Sequence, residues 1–248
     1  MNDQSAWRLC GATVQLTTES LEATIDVERP DLGLGSLTSC INGHKVKLDA
    51  AGILGVCAGQ VDPAAVKSTD YYVRGDDMIV SYQLATTPDV GLQIYWRVIH
   101  DETTPATGIE AIVSAQTELS DSHPALTVRS LLPPGDVLTM TASGDRTFRP
   151  LALDRDDSAT SDGAVLIRFD SDEISFLEMV HPSDDCGVTI KRTSGQLVTY
   201  YPILTEQLEK GVIRRSRIRG MFLPRENDSS FASELYAQFA SSPTPLTT

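Results

Sequence analysis

The sequence predicts an all-β protein, a large two-sheet antiparallel β-sandwich with a short C-terminal helix. Short runs in which apolar and polar residues alternate recur along most of the 248 residues, and this period of two is typical of strands. Turn residues separate the runs, and the pair Asn42-Gly43 between two of them is a strong signal for a β-hairpin. About eleven strands exceed the number in a small immunoglobulin-type module, so we expect two large stacked sheets.

The strands are assigned from the N-terminus onward by the same criterion. The first run, SLEATIDVERP, places Leu21, Ala23 and Ile25 on one side and acidic or hydroxyl side chains on the other. The stretch 152–163 is acidic and rich in turn residues, and it is therefore predicted to be a loop. The predicted strand segments are 20–30, 35–49, 77–85, 92–100, 108–119, 125–132, 163–169, 173–180, 187–192, 197–204 and 211–223.

One segment near the C-terminus has the helical period instead. We predict a helix over 228–240, with Asp228 or Ser229 as its N-cap. Beyond about residue 241 the composition is that of a flexible tail. Because no repeat or low-complexity linker interrupts the chain, we expect residues 1–248 to form a single domain. The apolar side of the helix consists of Phe231, Leu235 and Phe239.

Composition and motifs narrow the classes of function. The formal net charge of −14 argues against a nucleic-acid partner, because the surface would repel the phosphate backbone. No apolar stretch reaches the roughly 18 residues that span a bilayer and no secretory signal is visible, so we expect no membrane partner and a cytoplasmic location. The four cysteines lack CxxC spacing, which favours thiols in a reducing compartment. There is no P-loop, dinucleotide fingerprint, HExxH or EF-hand motif, and we predict no cofactor and no metal.

Two segments resemble the galactose-mutarotase-like proteins. LEATIDVERPDLGLGSLTSCINGHKVKL has a strand, a glycine-containing turn, a strand with a Ser-Leu pair and a tight hairpin at Asn-Gly. YYVRGDDMIVSYQLATTPDVGLQIYWRVIHDE has an alternating strand, a proline-containing turn and a long strand that ends in polar residues. The resemblance implies a supersandwich fold, a carbohydrate ligand and, in the family's enzymes, an acid/base pair that opens and recloses a sugar ring.

The catalytic candidates follow from that resemblance. His123 or His181 would serve as the acid and Glu178 as the base, since their proton affinities can be tuned toward neutrality. In SFLEMVHP, alternation places Glu178 and His181 on opposite faces of a strand, so each needs a partner from elsewhere. The family's Asn-His-x-Tyr-Phe-Asn stretch has no counterpart around His123, and a protein that binds sugar without turnover is the open alternative.

A polar row on one strand is the main candidate for binding a sugar. In LQIYWRVIH, Gln93, Tyr95 and Arg97 share the face opposite the apolar residues, and their side chains can hydrogen-bond hydroxyls or stack on a ring. The other reading is a solvent-facing strand surface. Arg129 in LTVRSLL is similar, since it points away from its apolar neighbours.

The stretch VIRRSRIRGMF concentrates positive charge in an acidic chain. Alternation places Arg215, Arg217 and Arg219, which we call the arginine stripe, on one face, where they repel each other unless anions lie nearby. Carboxylates on adjacent strands would supply those anions. An anionic sugar gripped by Arg215 and Arg217 is a second possibility, and an acidic partner protein docked by a non-enzymatic scaffold is a third. The oligomeric state is left open.

Overall fold

A computed structural model gives the structure of the protein. Side chains are not described at 87 and 88, within an otherwise described strand. The residues that the structure describes are 5–48, 52–59, 65–84, 87–101, 103–140, 146–154, 157–170, 173–184, 186–193 and 195–243.

Strands make up most of the described residues, and one α-helix follows them. Short 3-10 helices occur at Pro30–Leu32 and Pro182–Asp184. The helix α1 spans Asp228–Ser241. The strands are β1 Trp7–Cys10, β2 Thr13–Thr17, β3 Leu21–Asp26, β4 Leu34–Ile41, β5 His44–Leu48, β6 Gly52–Ala58, β7 Val66–Arg74, β8 Asp77–Leu84, β9 Thr87–His100, β10 Thr107–Thr117, β11 Leu126–Leu132, β12 Gly135–Met140, β13 Phe148–Leu151, β14 Ser158–Ser161, β15 Ala164–Phe169, β16 Ile174–Val180, β17 Val188–Arg192, β18 Leu197–Ile203 and β19 Ile213–Pro224.

The strands form two antiparallel sheets, which confirms the predicted fold class. The ten-stranded sheet has the order β1-β2-β3-β4-β6-β11-β18-β17-β14, with β5 paired to β4. The nine-stranded sheet has the order β13-β12-β15-β16-β19-β10-β9-β8-β7. The long strands β9, β10 and β19 lie side by side in the nine-stranded sheet, and they carry most of the polar residues discussed below.

The hydrophobic core lies between the two sheets. Alternate residues of each strand turn inward, as in β11, where every second side chain is buried. Trp96 of the nine-stranded sheet and Tyr201 of the ten-stranded sheet are among the largest fully buried side chains of one shared cluster. Burial of apolar surface on this scale is the main driving force for folding. We call the core-facing side of each sheet its inner face and the opposite side its outer face.

The predicted hairpin at Asn42-Gly43 is present between β4 and β5. Asn42 has φ 52° and Gly43 has φ 81°, and Ile41 pairs with His44 across the turn. Two successive residues with positive φ give the turn whose twist matches that of the flanking strands. Asparagine and glycine are the residues that adopt this conformation at the lowest cost, so the sequence signal has a direct conformational cause.

Helix α1 packs on the outer face of the nine-stranded sheet. Leu235 and Phe239 are buried against Leu177, Met179 and Met221 of β16 and β19 in a second apolar cluster. The predicted span is correct to within one residue, whereas the predicted N-cap is wrong: the N-cap position is occupied by residue 227, whose side chain makes no capping bond.

The side chain of Asp228 is instead held by the sheet. Its Oδ1 and Oδ2 accept hydrogen bonds from Arg168 Nη2 at 2.6 Å and Nε at 2.8 Å, and Ser175 Oγ donates at 2.7 Å. These bonds lower the pKa of Asp228 against the opposing effect of its burial, which is the largest single influence on it. The carboxylate therefore fixes the start of α1 to β15 and β16 rather than capping the helix.

Two further expectations bear on the ends and the thiols of the chain. We predict a flexible tail from about residue 241; of these residues, Ser242 and Pro243 make the contacts described below, and 244–248 lie outside the described residues. The four cysteines, Cys10, Cys40, Cys57 and Cys186, are free. Within the described part of the chain, no helix is both long enough and apolar enough to span a bilayer.

Candidate functional site

The outer face of the nine-stranded sheet is divided into two halves. Helix α1 covers the half formed by β12, β15, β16 and part of β19. The half formed by β7, β8, β9, β10 and the start of β19 carries mostly polar side chains around a small apolar patch of Ile79, Tyr95 and Ile112. A polar sheet face that no described element covers, beside a covered one, is a place where a polar ligand can lie across the strands.

A hollow of about 420 Å³ lies on this uncovered half, and we call it the outer-face hollow. Gln93 and Tyr95 come from β9, Ser114 lies opposite Gln93 on β10, and Arg215 lies opposite Ser114 on β19. Gly91 also lines it, and a Cβ atom there would contact the Gln116 side chain at 3.4 Å. The complete lining is Thr69, Ser81, Tyr82, Gln83, Gly91, Leu92, Gln93, Tyr95, Ser114, Gln116, Ile213 and Arg215.

A chain of hydrogen bonds orders the floor of the hollow. The Tyr95 hydroxyl donates to Gln93 Oε1, and Gln93 Nε2 donates to Ser81 Oγ at 3.0 Å. These contacts fix the Gln93 amide, so its remaining N–H points in a defined direction. Burial raises the pKa of Tyr95, and the positive charge of Arg215 acts against that rise. The phenol is therefore a neutral hydrogen-bonding group at neutral pH.

Arg97 shares the face of Gln93 and Tyr95, as alternation predicts, but it is engaged by a neighbouring strand. Its Nε and Nη2 donate to the two carboxylate oxygens of Asp77 at 2.6 and 2.9 Å. The hydrogen bonds to Asp77 raise the pKa of Arg97. A bidentate pair of this kind satisfies the guanidinium internally, and Arg97 does not line the hollow.

Two arginines of the stripe share one carboxylate within the protein. Arg217 Nε donates to Glu110 Oε1 at 2.8 Å, and Arg219 Nη2 lies 3.5 Å from Glu110 Oε2. The side chains of Arg217 and Glu110 are 3% and 2% exposed. An arginine as deeply buried as Arg217 cannot contact the surface of a partner protein in this conformation, so carboxylate pairing is the arrangement that the structure shows here.

The C-terminal segment completes the enclosure of Arg217. The carbonyl oxygens of Ser242 and Pro243 accept hydrogen bonds from Arg217 Nη1 at 3.4 and 3.1 Å, and Ser242 Oγ lies 3.0 Å from Nη2. The Phe239 ring stacks under both guanidiniums, with Cζ atoms 4.9 Å (Arg217) and 4.3 Å (Arg219) from its centroid. The end of α1 and the two residues after it thus cover the middle of the stripe.

The first arginines of the stretch remain near solvent. Arg214 Nη1 lies 2.9 Å from Glu206 Oε2, and both side chains are more than half exposed. Arg215 lines both the outer-face hollow and a smaller cavity of about 90 Å³ beside it. Arg215 is the member of the stripe that the structure places at the hollow, whereas Arg217 and Arg219 lie farther along the same face.

Glu178 lies in the core between the sheets and not on the outer face. Ser130 Oγ donates to its Oε1, and Thr199 Oγ1 donates to its Oε2 at 2.6 Å; both hydroxyls belong to the ten-stranded sheet. Burial raises the pKa of Glu178 from its usual 4.5 to about 7, while these two hydrogen bonds act in the opposite direction. The candidate base Glu178 therefore lies on the opposite face of the sheet from the polar row of β9.

Among the described residues, neither candidate histidine is hydrogen-bonded to Glu178. His181 follows β16 on the outer face. Its ring is nearly perpendicular to that of Phe239, with the two ring centroids 5.3 Å apart, and its Nδ1 lies 2.8 Å from Ser183 Oγ. Burial and the charge of Arg217 lower its pKa. His123 is exposed in the loop before β11, 3.5 Å from Asp121. The structure therefore does not bring these three catalytic candidates together.

Arg129 belongs to the other sheet. It lies on the outer face of β11, opposite Gly55 and Tyr200, and its Nη2 donates to the main-chain carbonyl of Asp31 at 3.1 Å. Because β11 is a strand of the ten-stranded sheet, Arg129 is separated from the outer-face hollow by the whole core. The sequence pattern showed which side of its strand Arg129 occupies, but not to which sheet that strand belongs.

Some residues of the site were not singled out from the sequence. Ser114 and Gln116 of β10 contribute to the hollow, and Glu110 of the same strand pairs with Arg217 and Arg219 of the stripe. The signal was available, because in GIEAIVSAQTEL the polar residues Glu110, Ser114 and Gln116 are separated by four and two residues, which places them on one face of a strand. Their importance depends on β10 lying between β9 and β19, which the sequence alone does not reveal.

Comparison with solved structures identifies the fold as that of the galactose mutarotase class. The structure superposes on a galactose mutarotase related enzyme from Lactobacillus acidophilus with a TM-score of 0.55 and 8% sequence identity, covering 84% of this chain and 96% of that one. This confirms the predicted supersandwich, and at such identity the likeness establishes the fold alone. No protein-family model matches the sequence, and no curated protein matches it either.

Two larger proteins contain the same fold as a part. A TPR-domain containing protein from Parabacteroides distasonis matches with a TM-score of 0.52 and 12% identity over 86% of this chain. A heparan sulfate lyase HepC mutant from Pedobacter heparinus matches with a TM-score of 0.50 and 9% identity over 88% of this chain. The chain spans 46% and 36% of these two proteins, respectively, well under two thirds of either.

Proposed function

We propose that the protein binds carbohydrate in the outer-face hollow. The observation that carries the proposal is the ordered row of amide, phenol and hydroxyl groups on adjacent strands, bordered by one arginine. Sugar hydroxyls both donate and accept hydrogen bonds, and a row of groups with fixed donor and acceptor roles complements them. The fold shared with a galactose mutarotase related enzyme supports this class of ligand.

Binding without turnover is the form of this function that the lining supports best. Among the described residues that line the hollow there is neither a histidine nor a carboxylate. Opening and reclosing a sugar ring requires one group to remove a proton and another to supply one, each within hydrogen-bonding reach. Gln93, Ser81 and Ser114 can orient hydroxyls, but they do not exchange protons readily near neutral pH.

The test is a screen of the full chain on an array of mono- and oligosaccharides, followed by calorimetric titration of the strongest ligand. Gln93→Ala is expected to weaken that ligand by about tenfold, because one hydrogen bond worth about 1.4 kcal/mol corresponds to that factor. Tyr95→Phe removes the donor that orients Gln93 and is expected to weaken binding several-fold. Absence of any array ligand would contradict the proposal.

Tyr200→Phe is the matched control. It deletes the same hydroxyl from a tyrosine on the ten-stranded sheet, opposite Arg129. Its affinity for the array ligand should equal that of the unaltered protein. If Tyr95→Phe and Tyr200→Phe have the same small effect, the ligand lies outside the hollow and the assignment of the site is wrong.

An epimerase acting at the anomeric carbon is the second candidate, favoured by the fold of the Lactobacillus acidophilus protein over 96% of its length. NMR exchange spectroscopy on D-glucose and D-galactose measures anomer interconversion directly. Enzyme-dependent interconversion that is lost in Glu178→Gln or in a His181 variant would establish this function in place of binding alone. Interconversion at the spontaneous rate supports the binding function.

A cytoplasmic location is also part of the proposal. All four thiols are free in the structure, and a reducing compartment keeps thiols in that state. Cell fractionation with an antibody to the full chain tests this directly.

A further inference from the structure

We propose that Arg217 and Arg219 form an oxyanion site occupied in this structure by the protein's own C-terminal segment. The ligand would be an acidic sugar whose ring lies in the outer-face hollow and whose carboxylate or sulfate displaces Ser242 and Pro243. This inference rests on the proposed carbohydrate function and specifies its substrate class. It also assigns a role to Arg217 and Arg219, the two arginines of the stripe that do not line the hollow.

The first observation is that the two guanidiniums share one carboxylate. Within the described part of the chain, Glu110 is the one carboxylate paired with either of them, and it serves both. Arg219 Nε is buried and has no hydrogen-bond partner among the described residues. A buried donor without a partner is costly, and an additional acceptor at this position would remove that cost.

The second observation is the kind of group that completes the shell of Arg217. Its Nη1 and Nη2 are directed at two main-chain carbonyls and one hydroxyl, all from Ser242 and Pro243. These are neutral acceptors in positions where an oxyanion could form a bidentate ion pair with the guanidinium. The C-terminal segment is therefore a weak occupant that a ligand of the right charge can replace.

The third observation is that this site continues the hollow. Arg215 at the hollow, Arg217 and Arg219 occupy successive positions on the same face of β19, opposite Ser114, Ile112 and Glu110 of β10. Steps of two residues along a strand span about 7 Å. One sugar ring in the hollow can thus place a substituent at Arg217 once the segment has moved away.

The experiment compares two shortened chains, both made with an amidated C-terminus so that neither carries a terminal carboxylate. One ends at Ser241 and lacks Ser242 and Pro243, and the other ends at Pro243 and keeps them. Inorganic sulfate is titrated into each by calorimetry, with circular dichroism as a check of folding. The chain ending at Ser241 is expected to bind sulfate at least tenfold more tightly. Equal affinities would overturn the proposal.

Arg219→Gln in the chain ending at Ser241 is expected to abolish the gain. If the gain persists in that variant, sulfate binds elsewhere and the proposal is wrong. Should the chain ending at Ser241 fail to fold, Ser242→Asp in the full chain provides the test, because a carboxylate there imitates the oxyanion beside Arg217. It is expected to raise the Tm above that of Ser242→Asn, and a lower Tm would contradict the inference.

Titrations with D-glucuronate and with D-glucose test whether the oxyanion that binds is a substituent of a sugar. D-glucuronate should gain affinity on removal of Ser242 and Pro243 by at least the factor found for sulfate, and D-glucose should gain none. A gain for sulfate without one for D-glucuronate would overturn the link to acidic sugars. Because the sulfate titration needs no sugar, its outcome is independent of whether the hollow binds neutral carbohydrate.

Discussion

Two glutamates are buried in the nine-stranded sheet, one on each face, and their surroundings differ. Glu110 on the outer face is paired with Arg217 at 2.8 Å and lies 3.5 Å from Arg219. Glu178 on the inner face meets only hydroxyl donors, Ser130 and Thr199, and its pKa is raised to about 7. The same residue type is thus paired with cations on one face, and on the other face burial in the core shifts it toward its neutral form.

The difference follows from what each face can supply. The outer face carries a row of arginines on β19, so a carboxylate on β10 finds a cation directly opposite it in the register. The inner face is packed against a second apolar layer, where an ion pair would lose most of its hydration. A single carboxylate is tolerated there because two hydroxyls of the opposing sheet bind it and because it can accept a proton.

The largest effect is expected for Glu110→Gln. This change leaves Arg217 buried without its counter-ion, and breaking a buried pair in this way typically costs about 3–5 kcal/mol. Urea unfolding at pH 7 measures the loss in the free energy of unfolding. Glu118→Gln is the matched control, because Glu118 forms an exposed pair with Lys210 at 3.2 Å. Similar losses for both variants would show that Glu110 does not stabilise the stripe.

Glu178→Gln is expected to alter the pH dependence of stability. The pKa of Glu178 is higher in the folded state, so the folded protein binds the proton more tightly and the unaltered protein loses stability as the pH rises from 4.5 to about 7. The shift in the pKa of Glu178 corresponds to about 3 kcal/mol of stability. Glutamine has no proton to lose, so the Glu178→Gln variant does not lose this stability as the pH rises.

Urea unfolding of both proteins at pH 4.5 and pH 8 measures this effect. Relative to the unaltered protein, Glu178→Gln should become more stable by about 3 kcal/mol between the two pH values. A constant difference between the two proteins would mean that Glu178 is ionised at both pH values in the folded state. The contrast with Glu110 would then disappear.

The smallest effect is expected at the exposed end of the stretch. Arg214→Gln removes a pair with Glu206 in which both side chains are more than half exposed, and such pairs contribute less than about 1 kcal/mol. Its urea midpoint should lie close to that of the unaltered protein, and 0.5 M NaCl should remove what difference remains. A loss as large as that of Glu110→Gln would show that exposure along β19 does not govern the strength of its ion pairs.

The architecture was predictable where one face of a strand is polar and the other apolar. β9 illustrates this, because alternation alone places Gln93, Tyr95 and Arg97 together, as the structure does. β6, with the sequence GILGVCA, was missed because its residues are mostly buried and show no alternation. β7 was missed for the opposite reason, since most of its residues are half-exposed or exposed.

The site was less predictable, because it depends on which strands become neighbours. The row of arginines can be predicted from the sequence of β19, but the ion pairs of Arg217 and Arg219 with Glu110 follow from the pairing of β19 with β10. Glu178 was correctly expected to need a partner from elsewhere, yet the hydroxyls that bind it come from the opposing sheet. Pairwise order within a sheet and contacts across the core are long-range properties that a local pattern does not contain.

The thiol of Cys186 is a suitable labelling position close to the first arginines of β19. It is exposed, and it lines the small cavity beside Arg214 and Arg215. Replacing Cys10, the other exposed thiol, with serine would leave Cys186 as the preferred attachment point for an environment-sensitive fluorophore. Ligand binding near β19 would change the emission of such a conjugate. The conjugate is therefore suitable for screening compound libraries before any natural ligand has been identified.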